Sequence, residues 1–364
     1  MTDLRLTLVA GVDPHRTRPG GIRSYVLGLA RYLAANGTDV LLMGIGGPAD
    51  SEPFRFVAVT EDPDASSLAF QISLRRTLRR RPITGGVIHA QRPDDLVPFL
   101  RPAGRCPLVV TIHGDPLPGI LTRHGRLAAY AYRRLERKGI RAARRSLFID
   151  SQSRSVFSSR YPGEAGKFLD TDVGIDFGRL HREDQDKAVM SWGLDGRPTV
   201  LFAGRFEREK NLPLIARALA LCETHPTLLL AGSGSEEGSM VKTLSGLSYR
   251  FLGVVPHDRM VSLYSAVDVT VLASTREAMP LTCLESLACG TPVVATRTGR
   301  IPELVVPAQN GFLVDQNPLQ MASAIDRAVN DVRLMRNACR ASVERFSWDR
   351  VGALLVRLYQ EVLS

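Results

Sequence analysis

The stretch EAMPLTCLESLACGTPVVAT, residues 277–296, places Glu277 and Glu285 eight positions apart in an otherwise almost uncharged run. A buried carboxylate without a partner is costly, so two acids here point to a task. Pro280 suits the first turn of a helix, which sets the start between Met279 and Leu281, with Glu277 in the preceding loop and Glu285 about one turn in. Backbone N–H groups of that turn, such as those of Leu281 and Thr282, attract an anion. The acids themselves repel phosphate and suit vicinal hydroxyls, because a carboxylate accepts two hydrogen bonds from a diol. GRFEREKN (204–211) supplies the opposite charge. Arg205 offers a planar fork to phosphate oxygens and Lys210 a point charge. A pyrophosphate flanked by two diol-bearing rings meets all these demands, and a nucleotide sugar is such a ligand. The competing reading, a surface Glu277 and a Glu285 on a solvated helix edge, is weakened because Glu285 is the only charge in LTCLESLACG.

The elements that must position these groups are legible as apolar runs. PTVLFAG, TLLLAGSG, YRFLGV, DVTVLAS and TPVVAT alternate with helical patterns such as NLPLIARALALCE and HDRMVSLYSA. Buried strands alternating with helices mean βαβ units and a parallel sheet. LRLTLVAG, DVLLMGIG, GGVIHAQ, PLVVTIHG and SLFIDSQ repeat the theme in the first half, with GIRSYVLGLARYLAANG as the first helix. The fold class is therefore α/β, two Rossmann-like doubly wound domains: residues 1–172 and 173–347, joined near DTDVGIDFGRL, with helix 348–364 able to pack back on the first. Ligands of such sheets bind beyond the carboxyl ends of the strands, and the cleft between two such domains is the expected site. His113 ends PLVVTIH and so should project there, and His89, ending VIHAQ, shares that placement.

The chain of 364 residues carries a net charge of +10, and its distribution matters more than its size. Residues 1–172 hold 26 Lys+Arg against 16 Asp+Glu, a surplus of 10, while the remainder holds 21 of each. The surplus concentrates in RRTLRRR (75–81) and in residues 123–145, where nine Lys/Arg accompany the single Glu136. Such a field favours an anionic partner, a membrane surface or a phosphorylated acceptor, unless it is simply a solvated helix face. Leu127, Tyr130, Ala131 and Leu135 stand at helical spacing within it and suit a membrane surface. With aromatic residues at 6% and no nucleic-acid motif, a nucleic-acid partner is not expected. No apolar run reaches the ~18 residues of a membrane span, and MTDLRLTLVAG does not read as a secretory signal. Five cysteines without C-x-x-C spacing read as reduced thiols, consistent with a cytoplasmic protein that could lie on the inner face of the cell membrane.

The second half resembles the retaining glycosyltransferases of the GT-B fold, in the large family 4 (group 1 type). The resemblance is carried by GRFEREKN, LAGSGSEE, the stretch from FLGVVPHDRM through TREAMPLTCLESLACGTPVVATRTGRIPELV, and NGFLV, with E-x7-E as its most specific part. PGGIRSYVLGLARYLAANG, VVTIHG, FIDSQS and VGID extend it more loosely over the first half. The resemblance implies that Arg205 and Lys210 neutralise a diphosphate leaving group and that Glu285 binds ribose hydroxyls. It implies that Glu277 binds hydroxyls of the transferred sugar or steadies its positive charge, beside the backbone of Ala278, Met279, Pro280 and Leu281. The backbone at Val255 would meet the base, Gly20 and Gly21 would let the chain approach the phosphates, and His113 would contact the donor sugar. Ser151 matches a serine without an assigned role.

The implied reaction is metal-independent hexosyl transfer from a nucleotide-diphosphate sugar, with UDP- and GDP-sugars the leading donors, to a sugar or lipid-linked acceptor in glycolipid or cell-surface polysaccharide assembly. The nucleotide sugar is then a substrate, and no cofactor is expected. Asp170-Thr171-Asp172 spells the D-x-D metal signature of a different glycosyltransferase fold, but it falls at the interdomain linker and is set aside. Cys283 and Cys289 read as packing residues. Rival readings are a nucleotide-sugar 2-epimerase of the same fold, a transferase acting on a soluble phosphorylated acceptor, and a non-catalytic nucleotide-sugar-binding protein.

Overall fold

The computed structural model describes residues 4–15, 20–49, 51–100 and 106–364; Met1–Asp3 and Pro19, which opens PGGIRSY, lie outside them. The chain divides into two compact units, one running to Gly174 and rejoined by Trp348–Ser364, the other Ile175–Ser347.

Most of the apolar runs form strands because they are buried on both sides, the pattern of a parallel sheet covered by helices. In the first unit these are β1 (Arg5–Val9), α1 (Gly21–Ala35), β2 (Asp39–Ile45), β3 (Arg55–Thr60), α2 (Ser67–Arg80), β4 (Val87–Ala90), β5 (Leu108–Ile112), α3 (Leu117–Ala142), β6 (Arg145–Phe148), α4 (Ser151–Arg160) and β7 (Phe168–Asp170). The second unit holds α5 (Gln185–Ser191), β8 (Thr199–Ala203), α6 (Leu212–Leu219), β9 (Thr227–Ala231), α7 (Glu237–Thr243), β10 (Tyr249–Gly253), α8 (His257–Ala266) and β11 (Val269–Leu272). It continues through α9 (Leu281–Ala288), β12 (Val293–Thr296), α10 (Ile301–Leu304), β13 (Gly311–Val314), α11 (Pro318–Asn330) and α12 (Val332–Val343). The last helix, α13 (Trp348–Leu363), belongs to the first unit.

Both sheets are parallel, in the orders β3-β2-β1-β4-β5-β6-β7 and β10-β9-β8-β11-β12-β13. Each reverses its direction of winding once, between β1 and β4 and between β8 and β11. Loops leaving two such strands diverge and open a crevice at their carboxyl ends. Strands β3, β7 and β13 were not among the expected runs: β3 is mostly half-buried, and β7 and β13 have only three and four residues.

Close packing explains why α13 joins the first unit. A Cβ on Gly28 of α1 would come within 2.6 Å of the Trp348 indole, and one on Gly352 within 2.1 Å of the Tyr32 ring. Tyr359 reaches deeper and its hydroxyl meets His89 Nδ1 at 2.8 Å.

The basic segment is α3, which bends at Gly125, where φ is +78°. Leu127 (82% exposed), Tyr130 (59%) and Ala131 face solvent, while Leu135 is half-buried. Its one acid turns inward: Glu136 is fully buried, accepting from Arg160 at 2.9 Å and from the Tyr161 hydroxyl at 2.6 Å. The exposed charges from Arg126 to Arg141 are therefore all cationic.

Candidate functional site

In the second unit, β8 and β11 are hydrogen-bonded neighbours at the winding reversal, with Val200 beside Val269. The segment after β8 carries Arg205 and Lys210, and the one after β11 carries Glu277. The first loop is seated on glycines of LAGSGS. A Cβ on Gly232 would lie 1.8 Å from the Gly204 carbonyl oxygen, and one on Gly234 2.4 Å from that of Phe206. Phe206 is fully buried and its N–H donates to the Ser233 carbonyl at 2.9 Å, so Arg205 stays outside, 57% exposed, with Glu207 and Glu209 at 3.8 and 3.7 Å.

The two loops are tied together. The Thr275 N–H donates to the Glu209 carbonyl at 2.8 Å. Asn211 donates to Gln316 Oε1 at 2.7 Å, and Gln316 Nε2 donates to the Ser274 carbonyl at 2.9 Å. This scaffold brings Lys210 Nζ within 2.6 Å of Glu277 Oε2, both side chains largely buried. Glu277 is thus not a lone acid. Its backbone is set by Gly299, whose φ of +53° favours glycine and whose Cβ, if present, would stand 2.0 Å from the Glu277 carbonyl oxygen. The Arg300 N–H then donates to the Ala278 carbonyl at 3.0 Å.

α9 begins at Leu281, and Pro280 precedes it as the N-cap rather than sitting inside the first turn. No side chain caps this end, so the first-turn N–H groups lack a side-chain acceptor. Ala278, Leu281 and Thr282 are half-buried, whereas Met279 and Pro280 are buried. Glu285 lies one turn in and accepts from the Tyr264 hydroxyl at 3.0 Å. Although its residue surface is partly accessible, burial pushes its carboxyl up to about 7, against the opposing pull of that hydrogen bond. Burial and the neighbouring carboxylate raise Tyr264 well above the ordinary phenol range. Val255 sits half-buried between β10 and α8. Cys283 and Cys289 are fully buried, and burial raises both thiols.

A cavity of about 730 Å³ opens in this unit beside Glu207, Glu209, Glu236, Asn211, Ser239 and Thr275. Arg205, Lys210, Glu277 and Glu285 do not line it, so it is distinct from the predicted residues.

In the first unit, Gly20 is the extended N-cap of α1, with φ −167°, where a Cβ would make an ordinary contact with Arg23 Cβ at 3.9 Å; Gly21 starts the helix, exposed. His113 follows β5 directly and is half-buried, its Nε2 2.8 Å from Gln91 Oε1 and its ring edge-on to Tyr25 at 5.2 Å. Burial pushes it down to about 3. His89 does not share this placement. It lies inside β4, fully buried, held by the Tyr359 and Thr111 hydroxyls at 2.8 and 2.7 Å, and is a core residue. Ser151 opens α4 on the surface. Asp170 pairs with Arg154, and among the described residues no group of three or more His, Cys, Asp or Glu could hold a metal ion. Tyr264, Gln316, Gly299 and Gln91 were not among the predicted residues. Gly299 alone had a local signal, the T-G turn of TRTGRIPELV.

Residues 184–345 match the family model for glycosyl transferases group 1, and residues 19–168 that for glycosyltransferase family 4. The chain is similar to a D-inositol 3-phosphate glycosyltransferase of Corynebacterium jeikeium, 35% identical over 49% of this chain and 47% of the relative. Matches of that kind span about half the relatives' length. A GDP-mannose-dependent alpha-(1-6)-phosphatidylinositol dimannoside mannosyltransferase of Mycobacterium tuberculosis is 26% identical over 93% of this chain and 92% of its own. The sucrose-phosphate synthase structure from Thermosynechococcus elongatus shares the fold, with a TM-score of 0.80, 22% identity and 99% of each chain covered.

Proposed function

The chain belongs to glycosyltransferase family 4 of the GT-B fold, and from that premise we propose that it moves a hexosyl group from a nucleotide-diphosphate sugar to an acceptor hydroxyl with retention. The observation that carries this reading is the Lys210–Glu277 pair, held at 2.6 Å by loops from the two strands at a winding reversal. Each group satisfies the other. A diphosphate would draw Lys210 to itself, together with Arg205 and the uncapped start of α9, and release Glu277 to the hydroxyls of the transferred sugar. Glu285, steadied by Tyr264, takes the ribose diol and Val255 the base.

The developing charge on the leaving diphosphate is met by cations already in place, so the donor's charge calls for no metal. In the retaining step the bond from the anomeric carbon to phosphate oxygen breaks, the acceptor oxygen bonds to that carbon on the same face, and its proton passes to the departing phosphate oxygen. No side chain need act as base.

For the acceptor we favour a lipid-linked or membrane-borne one, in glycolipid or cell-surface polysaccharide assembly. Exposed Leu121, Leu127 and Tyr130 stand among Arg123, Arg126 and Arg134 on α3, and exposed Leu68 and Ile72 beside Arg75 and Arg79 on α2. That mixture suits an anionic bilayer surface. No helix among the described residues is long and apolar enough to cross a membrane. A soluble phosphorylated acceptor accounts for the charge as well, and the relative named for D-inositol 3-phosphate lends it support.

The test is thermal unfolding with UDP, GDP, ADP and dTDP, for wild type, Arg205→Ala and Glu285→Ala, followed by product analysis with the sugars of the nucleotide that binds. A donor consumed only with an acceptor supports transfer; conversion of donor alone indicates an epimerase; binding with no product from any donor and acceptor indicates a non-catalytic protein. Sedimentation with anionic vesicles at low salt separates the acceptor classes, and protein left in the supernatant would overturn the membrane reading.

A further inference from the structure

We propose that Gln91 is a positioning residue that fixes the proton of His113 on Nε2 and leaves Nδ1 as a bare acceptor for a substrate hydroxyl. The proposal rests on the transfer reading only for what Nδ1 meets; the tautomer itself is independent of it.

Gln91 follows β4 directly and His113 follows β5 directly, and these strands pair side by side, Ala90 beside Val110. Their side chains meet where the strands end, Gln91 Oε1 accepting from His113 Nε2 at 2.8 Å. Gln91 is 2% exposed, and its Nε2 has no hydrogen-bond partner. A buried unpaired donor is uncommon, and the chain keeps one here. Rotating the amide would turn Gln91 Nε2 toward His113, leave Oε1 as the buried unpaired atom and move the imidazole proton to Nδ1. What the orientation decides is the proton's place on the imidazole. A neutral amide accepts that proton without holding a positive charge, whereas a carboxylate in its place would favour the imidazolium. Nδ1 has no protein partner among the described residues.

Other groups around the ring act in the same direction. His89, buried on β4, is itself pushed down to about 3, partly by His113. Tyr25 of α1, edge-on to the ring, is pushed up to about 12 by burial and stays neutral. Asp115, two residues on, is bound by Arg160 at 2.6 Å.

The experiment is nitrogen-15 NMR of histidine-labelled full chain, with the His113 signals assigned by their loss in His113→Gln. The expected wild-type result is the Nε2–H tautomer at neutral pH. Gln91→Leu should give a mixture of tautomers and, with the donor that turns over, a kcat lowered about three- to tenfold at unchanged KM, the loss of one hydrogen bond. Gln91→Glu, which keeps size and acceptor, should restore the Nε2–H form and move the acid limb of the pH–rate profile upward. A wild-type Nδ1–H tautomer, or a tautomer unaltered in Gln91→Leu, overturns the proposal; so does a shifted tautomer with unchanged kcat. If the tautomers behave as expected but no donor is turned over even by wild type, the transfer reading fails and the assignment of Gln91 as the residue that sets the tautomer stands.

Discussion

Glu285→Gln should make the protein more stable and less able to bind nucleotide, with the stability gain largest at high pH. The carboxyl is raised from the ordinary 4.5 to about 7, first by burial and with the Tyr264 hydrogen bond pulling the other way. A raised carboxyl pKa means that the native state disfavours the charged form relative to the unfolded chain. The stability of the native state is therefore full below the unfolded value, and falls as pH rises from 4.5 through 7. At about 1.4 kcal/mol per unit, the loss at pH 8 amounts to about 3 kcal/mol, and at pH 5 to about 1 kcal/mol. Glutamine keeps the volume and can accept from Tyr264, but carries no charge to bury. Denaturant unfolding of both proteins at pH 8 and pH 5 reads the difference, in the transition that nucleotide moves in wild type, since two units need not unfold together. The expected gain is about 3 kcal/mol at pH 8, roughly 6–12 °C in Tm for a unit of this size, shrinking to about 1 kcal/mol at pH 5. Wild type at a nucleotide concentration ~100 times Kd gains about 2.7 kcal/mol, and the variant should lose most of that increment. An equal gain at both pH values, or none at pH 8, would refute the reasoning, because the cost would then not come from the buried charge.

Lys210 and Glu277 should show coupling of about 1–2 kcal/mol in a double-mutant cycle of Lys210→Met and Glu277→Gln, read by denaturant unfolding, because each single change leaves a largely buried charge unpaired; additive losses would mean that the pair contributes nothing. Gly299→Ala should cost about 2 kcal/mol or more and abolish the nucleotide-induced shift, since the methyl group would stand 2.0 Å from the Glu277 carbonyl oxygen at a φ of +53°. An alanine variant that binds nucleotide normally contradicts the role given to that turn. His89 and His113 are both pushed down to about 3 by burial, so their contribution is full above the unfolded value near 6.5 and is lost as pH falls below it towards 3. Unfolding free energies of wild type from urea denaturation should fall by about 3 kcal/mol per pH unit between ~6 and ~4 from these two groups, and His89→Gln should halve that slope.

What the sequence makes legible here follows from range. Long apolar runs specify buried parallel strands by themselves, which is why most strands of both sheets are readable, whereas β3 is half-buried, β7 has three residues and β13 is a four-residue strand opened by a glycine. An acid inside such a run is likewise legible as special, as Glu277 and Glu285 were. Its partner is not, because Lys210 stands 67 positions from Glu277, and the two meet only once β8 and β11 lie side by side. The two histidines make the same point. Each ends an apolar run, and strand ends cannot be placed from sequence to better than a residue or two. Two residues of register decide the outcome: His89 falls inside β4, between Leu8 of β1 and Val109 of β5, while His113 falls just beyond β5. The group that then claims His89 is Tyr359, 270 positions away on the last helix. Glu136 extends the rule to helices, since spacing along α3 cannot say that its carboxyl turns inward to Arg160 and Tyr161. Once that single acid is removed from the surface, the charge left on the outer face is more purely positive than composition suggests, and an anionic surface would feel the field of the face rather than that of the chain.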